Sequence, residues 1–278
     1  MKSIASFRIP LFLFTGSAFL AYLFSYFAFT PLYESNCVFF PPNTHANIHL
    51  VSAGIRFGGD KEVGEQLEMI QSEAVQRSMI EEFNLIERYE IDTLSPFWLE
   101  NLQKKYNSRI HFNRTINKSI VVSVQDRDAK LAATMANRLV ELADQHKNSV
   151  VKENIRSAAH SAFESFMDMK AIVESMSDSL EVMRLAGESV WNYGEERKSS
   201  RFTHYELQYR SELDRYLNLK WHWEELNDLL QAEVPSSYVV SSAIPQGKPV
   251  FPKKGLIALI AGFLSTLIYI LIRNLNLA

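Results

Sequence analysis

The sequence predicts an α+β membrane protein: two transmembrane helices flank an α/β base that carries a long extended helix and a helical hairpin. Three observations carry this reading. Residues 9–33 contain no charged side chain, and neither do residues 255–272. Each run has the length needed to cross a hydrocarbon core of about 30 Å at about 1.5 Å per helical residue. Between them, β-branched strand-like runs precede a stretch of about 60 residues free of proline and glycine.

The first run carries six phenylalanines with Ile9, Leu11, Leu13, Leu20, Leu23 and Leu32. At roughly −0.3 to −0.6 kcal/mol per central Leu, Ile or Phe, its insertion is favourable. An ordinary core helix would be polar on one side, and neither run is. The first run exceeds the 7–15 apolar residues typical of a signal peptide, and no small-x-small cleavage site follows it. Glu34, Ser35 and Asn36 do not form a lipoprotein signal before Cys37, the single cysteine, which reads as a strand residue. One cysteine excludes an intrachain disulfide framework. A net charge of −3 gives no basic stripe of the kind a nucleic-acid binder shows.

Lys2 and Arg8 precede the first run and Glu34 follows it. The positive-inside rule then puts the N-terminus in the cytoplasm. Two crossings return the C-terminal tail to the same side, and the middle becomes periplasmic, in a bacterial inner membrane. Lys248, Lys253 and Lys254 oppose this orientation, but the first span usually dominates. The division expected is a cytoplasmic tail 1–8, a span 9–33, a periplasmic α+β domain 34–244, a proline-rich segment 245–254, a span 255–272 and a tail 273–278. Each span has small residues every four positions: Ser17, Ala21 and Ser25 in the first, Ala258, Gly262 and Thr266 in the second. That spacing permits close helix packing in lipid, although small residues are common in membrane helices anyway.

Within the middle, residues 35–56 read as extended, interrupted by Pro41 and Pro42, and Gly58-Gly59 reads as a turn. Asp60 is placed to cap one helix through Val63, Leu67, Ile70, Ala74 and Val75, with Glu62, Glu65 and Glu68 facing water. A short helix is expected near residues 95–105. Strands follow at 109–115 and 118–125, the second containing Ser119-Ile-Val-Val-Ser-Val. Asp126 is then expected to cap the long helix, about 127–186. Its second half shows a heptad seam: Ile155, Ala159, Ala162, Phe166, Met169, Val173, Met176, Leu180 and Met183. A returning helix at about 201–232 places Tyr205, Tyr209, Leu213, Tyr216, Trp223, Leu226 and Leu230 on one side. The seam can pack one arm of a hairpin on the other, or one subunit on its neighbour, and the two uses are compatible. Residues 236–243 are again strand-like. Pro245, Pro249 and Pro252, with Lys253 and Lys254, then form a stiff extended lead-in to the second span, the lysines at the headgroups.

This order of elements resembles the polysaccharide co-polymerases, the Wzz-type chain-length determinants. The prolines before Lys253-Lys254 resemble the family's juxtamembrane motif, with a first spacing of four in place of three. Ser123-Val-Gln-Asp-Arg-Asp-Ala-Lys-Leu-Ala-Ala-Thr-Met-Ala-Asn137 resembles its strand-into-helix segment, with Ala129 where proline is common. The resemblance implies a homo-oligomer in the inner membrane that sets the chain length of O-antigen, capsule or exopolysaccharide. Its partners would be a polymerase or exporter, membrane lipids and, weakly, the growing polysaccharide. It also implies no cofactor and no catalytic centre. Some members carry a tyrosine kinase after the second span. Here five residues follow Arg273 and no G-x-x-x-x-G-K-[ST] loop occurs, so any kinase acting with this chain is a separate protein. An export adaptor of the same family, and a membrane-anchored coiled-coil scaffold unrelated to sugars, are the competing readings.

No catalytic or metal-ligating set emerges. His45 and His49 lie in a loop or strand, where a spacing of four does not put them on one face. His222, between Trp221 and Trp223, reads as a surface histidine. Asn113 and Asn117 match a glycosylation pattern that has no meaning in a periplasm lacking the transferase.

Overall fold

A computed structural model describes residues 2–42, 58–192 and 195–275. His45 and His49, and the extended run expected at 47–56, lie outside the described residues. The chain divides into two compact units, one formed by residues 1–144 with 235–278 and the other by 145–234.

The first unit contains both apolar helices, α1 (Lys2–Ala28) and α8 (Lys254–Leu275). Residues Pro10–Ala28 and Lys254–Ile272 are long and apolar enough to cross a membrane, and little of either is covered by protein. The first helix ends five residues short of the expected boundary at Tyr33, because the chain is already extended there.

A four-stranded antiparallel sheet of order β2-β3-β1-β6 follows, from β1 (Tyr33–Phe40), β2 (Ile110–Arg114), β3 (Ile120–Asp126) and β6 (Tyr238–Ser241). Cys37 opposes Val122 and Phe39 opposes Ile120, and Ile110 opposes Val124 on the other side of β3. These six side chains are buried and share one core with helices α2 (Asp60–Ile70), α3 (Glu73–Glu82) and α5 (Trp98–Arg109). The same core takes the first turns of α6 (Ala129–Leu185) through Ala133, Met135, Ala136, Leu139, Val140 and Ala143. Alanine at three of those positions keeps the helix close to its neighbours. Burial also pushes the Cys37 thiol above its ordinary pKa, so it stays protonated and inert.

Several local expectations are corrected. The helix expected to run through Val75 breaks at Ser72, whose hydroxyl accepts the Val75 N–H at 3.4 Å and starts α3. Asp60 is the first residue of α2 and caps nothing. Its carboxylate meets Arg114 and Lys118, whose hydrogen bonds and charges hold it below the usual carboxylate range, Lys118 first. Glu62 does not face water: it is buried, and accepts the Gly59 N–H at 2.7 Å. A short helix, α4 (Leu85–Arg88), is too brief to carry a periodic signal; Asn84 enters it at φ 46°, a conformation asparagine tolerates.

The cap of α6 is Asp128, not Asp126: its carboxylate accepts the Lys130 N–H at 2.8 Å. Asp126 is 3% exposed and receives both Arg88 Nε (2.8 Å) and Nη2 (2.5 Å). This two-point pair ties α4 to the end of β3.

In the second unit, α6 continues to Leu185 and α7 (Ser200–Gln231) returns along it. Phe166 stacks on Trp223 (5.7 Å, 2°) and on Tyr216 (5.4 Å, 28°), and Phe163 also meets Trp223 at 5.5 Å. Gly187 at φ +82° ends α6, with Glu188 N–H donating to Met183 O and Gly187 N–H to Arg184 O, both at 3.1 Å. The link between the helices is not a bare loop but a hairpin, β4 (Ser189–Asn192) with β5 (Glu195–Lys198). Glu188 closes its base, accepting the Ser199 N–H (2.7 Å) and hydroxyl (2.8 Å).

Replacing Asp126 by Ala leaves the Arg88 guanidinium without its acid. The expected outcome is a loss of about 3 kcal/mol in stability, read from denaturant unfolding of the full chain in detergent. Phe166→Ala removes the ring shared by Trp223 and Tyr216. It is expected to cost about 3 kcal/mol and to red-shift tryptophan emission.

Candidate functional site

Three features of the first unit are candidates for function: the join of the two apolar helices, the clamp on the returning chain and a cleft beside the sheet. The join begins where the chain leaves α1. Leu32 donates its N–H to Phe251 O at 3.0 Å, and Val250 donates to Leu32 O at 2.8 Å. The bonding groups belong to Val250 and Phe251, which lie between Pro249 and Pro252, since proline has no N–H to give. Phe29 meets Phe251 edge-on at 5.8 Å. Pro252 is buried, Pro249 half-buried, and Pro245 and Lys253 exposed. Lys254 opens α8 with its ammonium 4.1 Å from the Tyr26 ring centroid, a cation–π contact between the two apolar helices.

Deeper in the helix pair, the Ser17 and Ser265 hydroxyls are 2.7 Å apart. Gly262 is buried with the Phe14 ring against it, and Phe14 meets Phe263 edge-on at 5.5 Å. Thr266 turns its hydroxyl back to Gly262 O at 2.8 Å. Ser25 is fully buried, while Ala21 and Ala258 are half-buried. Ser265, one position before Thr266, makes the cross-helix polar contact. The four-residue spacing did not single it out.

The clamp holds the chain on its way back to the membrane. Asn137 accepts the Ala243 N–H at 2.8 Å and donates to Ala243 O at 3.1 Å, matching one backbone residue with one carboxamide. Seven residues along α6, Asp144 accepts the Ser237 N–H (2.7 Å), the Ser237 hydroxyl (2.8 Å) and Gln66 Nε2 (3.0 Å). Strand β6 lies between these two attachments. It pairs with β1 over Val38, Phe39 and Phe40 only, with a register shift after Val38, so the side-chain clamps supply what the short ladder lacks. Ser35 adds a third tie, donating to Ile244 O at 3.0 Å.

The cleft, of about 750 Å³, is lined by Gln71, Gln76, Gln103, Asn107, His111 and Asn113. Tyr106 and Phe112 supply aromatic surface, and Glu34 and Ser123 complete one wall. Five carboxamides, with Glu34 as the one carboxylate and no lysine or arginine, make this a polar surface rich in paired donors and acceptors. Gln76 donates to Gln103 at 2.6 Å within this lining. The Tyr106 hydroxyl is buried without a hydrogen-bond partner among the described residues, and burial pushes its pKa upward. The sequence does not link these amides, because the end of α2, α3, α5 and β2 each contribute one or two and no local pattern joins them; Asn113 stands out only as part of a glycosylation pattern.

The seam residues fall in the second unit. Ala159, Ala162, Phe166, Met169, Val173 and Met183 are buried, and Ile155, Met176 and Leu180 half-buried. His222 is exposed beside Glu225 on α7. Among the described residues there is no group of three or more His, Cys, Asp or Glu that could hold a metal ion.

No protein-family model and no curated protein sequence matches the chain. Solved structures do. A full-length bacterial polysaccharide co-polymerase aligns over 97% of this chain and 94% of its own, at 12% identity and a TM-score of 0.48. The lipopolysaccharide O-antigen chain-length regulator WzzB of Shigella flexneri aligns over 78% and 99%, at 11% identity and 0.36. A WzzB polysaccharide co-polymerase fragment from Salmonella Typhimurium aligns over 80% and 100%, at 12% and 0.35.

The helix pairing yields a direct test. With Cys37 replaced by Ala, Ser17→Cys and Ser265→Cys are expected to form a disulfide on mild oxidation in membranes, seen as a mobility shift on non-reducing gels. Gly262→Ile drives a branched side chain into Phe14 and is expected to abolish that cross-link. Gly262→Ala, which needs only a small movement of the ring edge, is expected to keep it.

Proposed function

We propose that this chain is an inner-membrane polysaccharide co-polymerase, an oligomeric scaffold that sets the chain length of a surface polysaccharide together with a polymerase. Both termini are cytoplasmic in this reading, residues 34–244 are periplasmic, and no chemistry is performed by the chain itself. The observation that carries it is that contacts fall on the segments that resemble the family. Asn137, the last residue of the strand-into-helix segment, grips Ala243, two residues before Pro245. Val250 and Phe251, between the later prolines, bond to the exit of the first helix. The two resembling segments are thus working parts of one joint, which holds the returning chain beside the outgoing one.

The cleft suits weak contact with sugar. Carboxamides offer a donor and an acceptor side by side, which matches vicinal hydroxyls, and Phe112 offers a ring for the apolar face of a pyranose. Assembly has its own surface. Phe163, Met167, Ile172, Leu207, Leu217 and Trp221 remain 39–69% exposed on α6 and α7. Apolar exposure on that scale favours a neighbouring subunit. Phe166, by contrast, is spent on Trp223 and Tyr216 of its own chain.

The test is the length profile of surface polysaccharide with and without the gene. A scaffold that sets length is expected to lose the modal distribution while polymer still reaches the surface. Complete loss of surface polymer would move the chain to an export role, and an unchanged profile would overturn any role in polysaccharide length. In the complemented strain, replacing Gln103 and Asn113 together by Ala is expected to shift the modal length with the protein present at normal abundance.

A further inference from the structure

A second depression in the first unit has the opposite chemistry to the amide-lined cleft. Leu32, Arg88, Tyr89, Lys105, Arg109 and Arg127 line it, with Asp126 as its one carboxylate. Asp126 is already saturated: Arg88 takes both its oxygens, and one of them also accepts the Asp128 N–H at 2.8 Å. Arg127 pairs outward with Glu90 at 2.6 Å. The side chains of Lys105 and Arg109 make no hydrogen bond or ion pair among the described residues, although the Lys105 charge is felt by Glu90, the partner of Arg127.

Arg109 is half-buried, so its guanidinium has lost part of its water, and no acid bonds to it directly: of the carboxylates it feels only the charge of Asp126, whose oxygens Arg88 already holds. Beside it Tyr89 is 7% exposed, and its hydroxyl has no hydrogen-bond partner among the described residues. Buried polar groups are normally matched. Here a guanidinium and a hydroxyl, both donors, are left unmatched in one depression with an excess of positive charge. The missing partner is an anion with several acceptor oxygens.

Position narrows the anion further. Leu32 is four residues past the end of α1, so its backbone lies within about 14 Å of the last helical residue. Its bond to Phe251 ties it to a point three residues before α8 begins. Both apolar helices therefore end within a few residues of this depression, within reach of the headgroup layer that extends roughly 5–8 Å beyond the hydrocarbon. We propose that the basic depression formed by Lys105, Arg109 and Tyr89 beside Leu32 binds a phosphate group, and that its source is an anionic phospholipid headgroup in the leaflet facing the base. The site rests on α1 and α8 crossing a bilayer, and is independent of any role in polysaccharide length.

The full chain, purified in mild detergent, is tested by native mass spectrometry with phosphatidylglycerol, phosphatidylcholine or inorganic phosphate added. The wild type is expected to retain phosphatidylglycerol in preference to phosphatidylcholine. Lys105→Gln with Arg109→Gln is expected to reduce that retention about tenfold, the loss expected for charge-assisted hydrogen bonds, while Arg77→Gln on α3 leaves it unchanged. Tyr89→Phe removes only the hydroxyl and serves if the double variant unfolds; its expected effect is a loss of about threefold. Displacement of the lipid by millimolar inorganic phosphate would keep the phosphate site but make free phosphate its ligand. Equal retention by wild type and both sets of variants, or no preference for the anionic lipid, overturns the proposal. A chain that stays soluble without detergent would instead remove the premise that α1 and α8 span a bilayer.

Discussion

The backbone pairing of Leu32 with Val250 and Phe251 is the point on which the rest of the first unit depends. A chain with an apolar helix near each end has to bring those ends together after more than two hundred intervening residues, and loop closure over that length opposes it. Two hydrogen bonds of ordinary strength would not hold such a joint alone. The prolines on either side restrict the returning strand before it arrives, so less freedom remains to be lost there. Below the joint, Ser17, Ser265 and the Phe14–Gly262 contact hold the helices; above it, β1 runs straight into the sheet. The joint thus sits between two independent sets of contacts, each of which raises the effective concentration of its two sides.

The clamp on β6 illustrates how a polar residue can do what packing cannot. Asn137 and Asp144 are seven residues apart on α6, the repeat at which helical positions return to the same face. Alanine at both would bury more smoothly, but the residues flanking β6 would then present the Ser237 and Ala243 N–H groups with no acceptor, at a cost of roughly 1–3 kcal/mol each. A carboxamide at Asn137 meets both the donor and the acceptor of Ala243, so it fixes register as well as proximity. An apolar contact could slide by one residue and carry the prolines with it; a two-point amide match cannot.

Most of the architecture was legible because hydrophobic periodicity and charge-free runs report on burial directly. The two apolar helices, the β2–β3 pair, the long helix and its return all announce themselves in this way. The failures share a cause. Asp60, Glu62 and Asp126 read from local context as caps or solvent-facing acids, but Arg114 with Lys118 and Arg88 claim the two aspartates from other elements, and Glu62 turns back to the Gly59 N–H as the third residue of its own helix. Ser72 breaks a pattern whose apolar spacing continues unbroken past it, so a hydroxyl cap outweighed periodicity. The β4–β5 hairpin follows Gly187 and is only four residues to a strand, too short for alternation to register. The amide cleft was not legible because its carboxamides come from different elements and carry no hydrophobic periodicity.

The long helix joins two kinds of packing that call for different side chains, and its composition changes accordingly. Against the sheet its buried positions are small or slender, with Ala132, Ala133, Ala136 and Ala143 among them, because two or more elements crowd one helix face. Along α7 there is only one neighbour. A pair of helices side by side has little interior, and alanine alone would bury too little area to hold it. The residues there are Phe166, Met169, Val173 and Met183, with Tyr216 and Trp223 from the opposite arm. Large rings stacked across a two-helix interface recover by area what a shallow core cannot give by depth. The same shallow core leaves Phe163 and Trp221 partly in solvent, so the feature that stabilises the hairpin also leaves apolar surface uncovered along it.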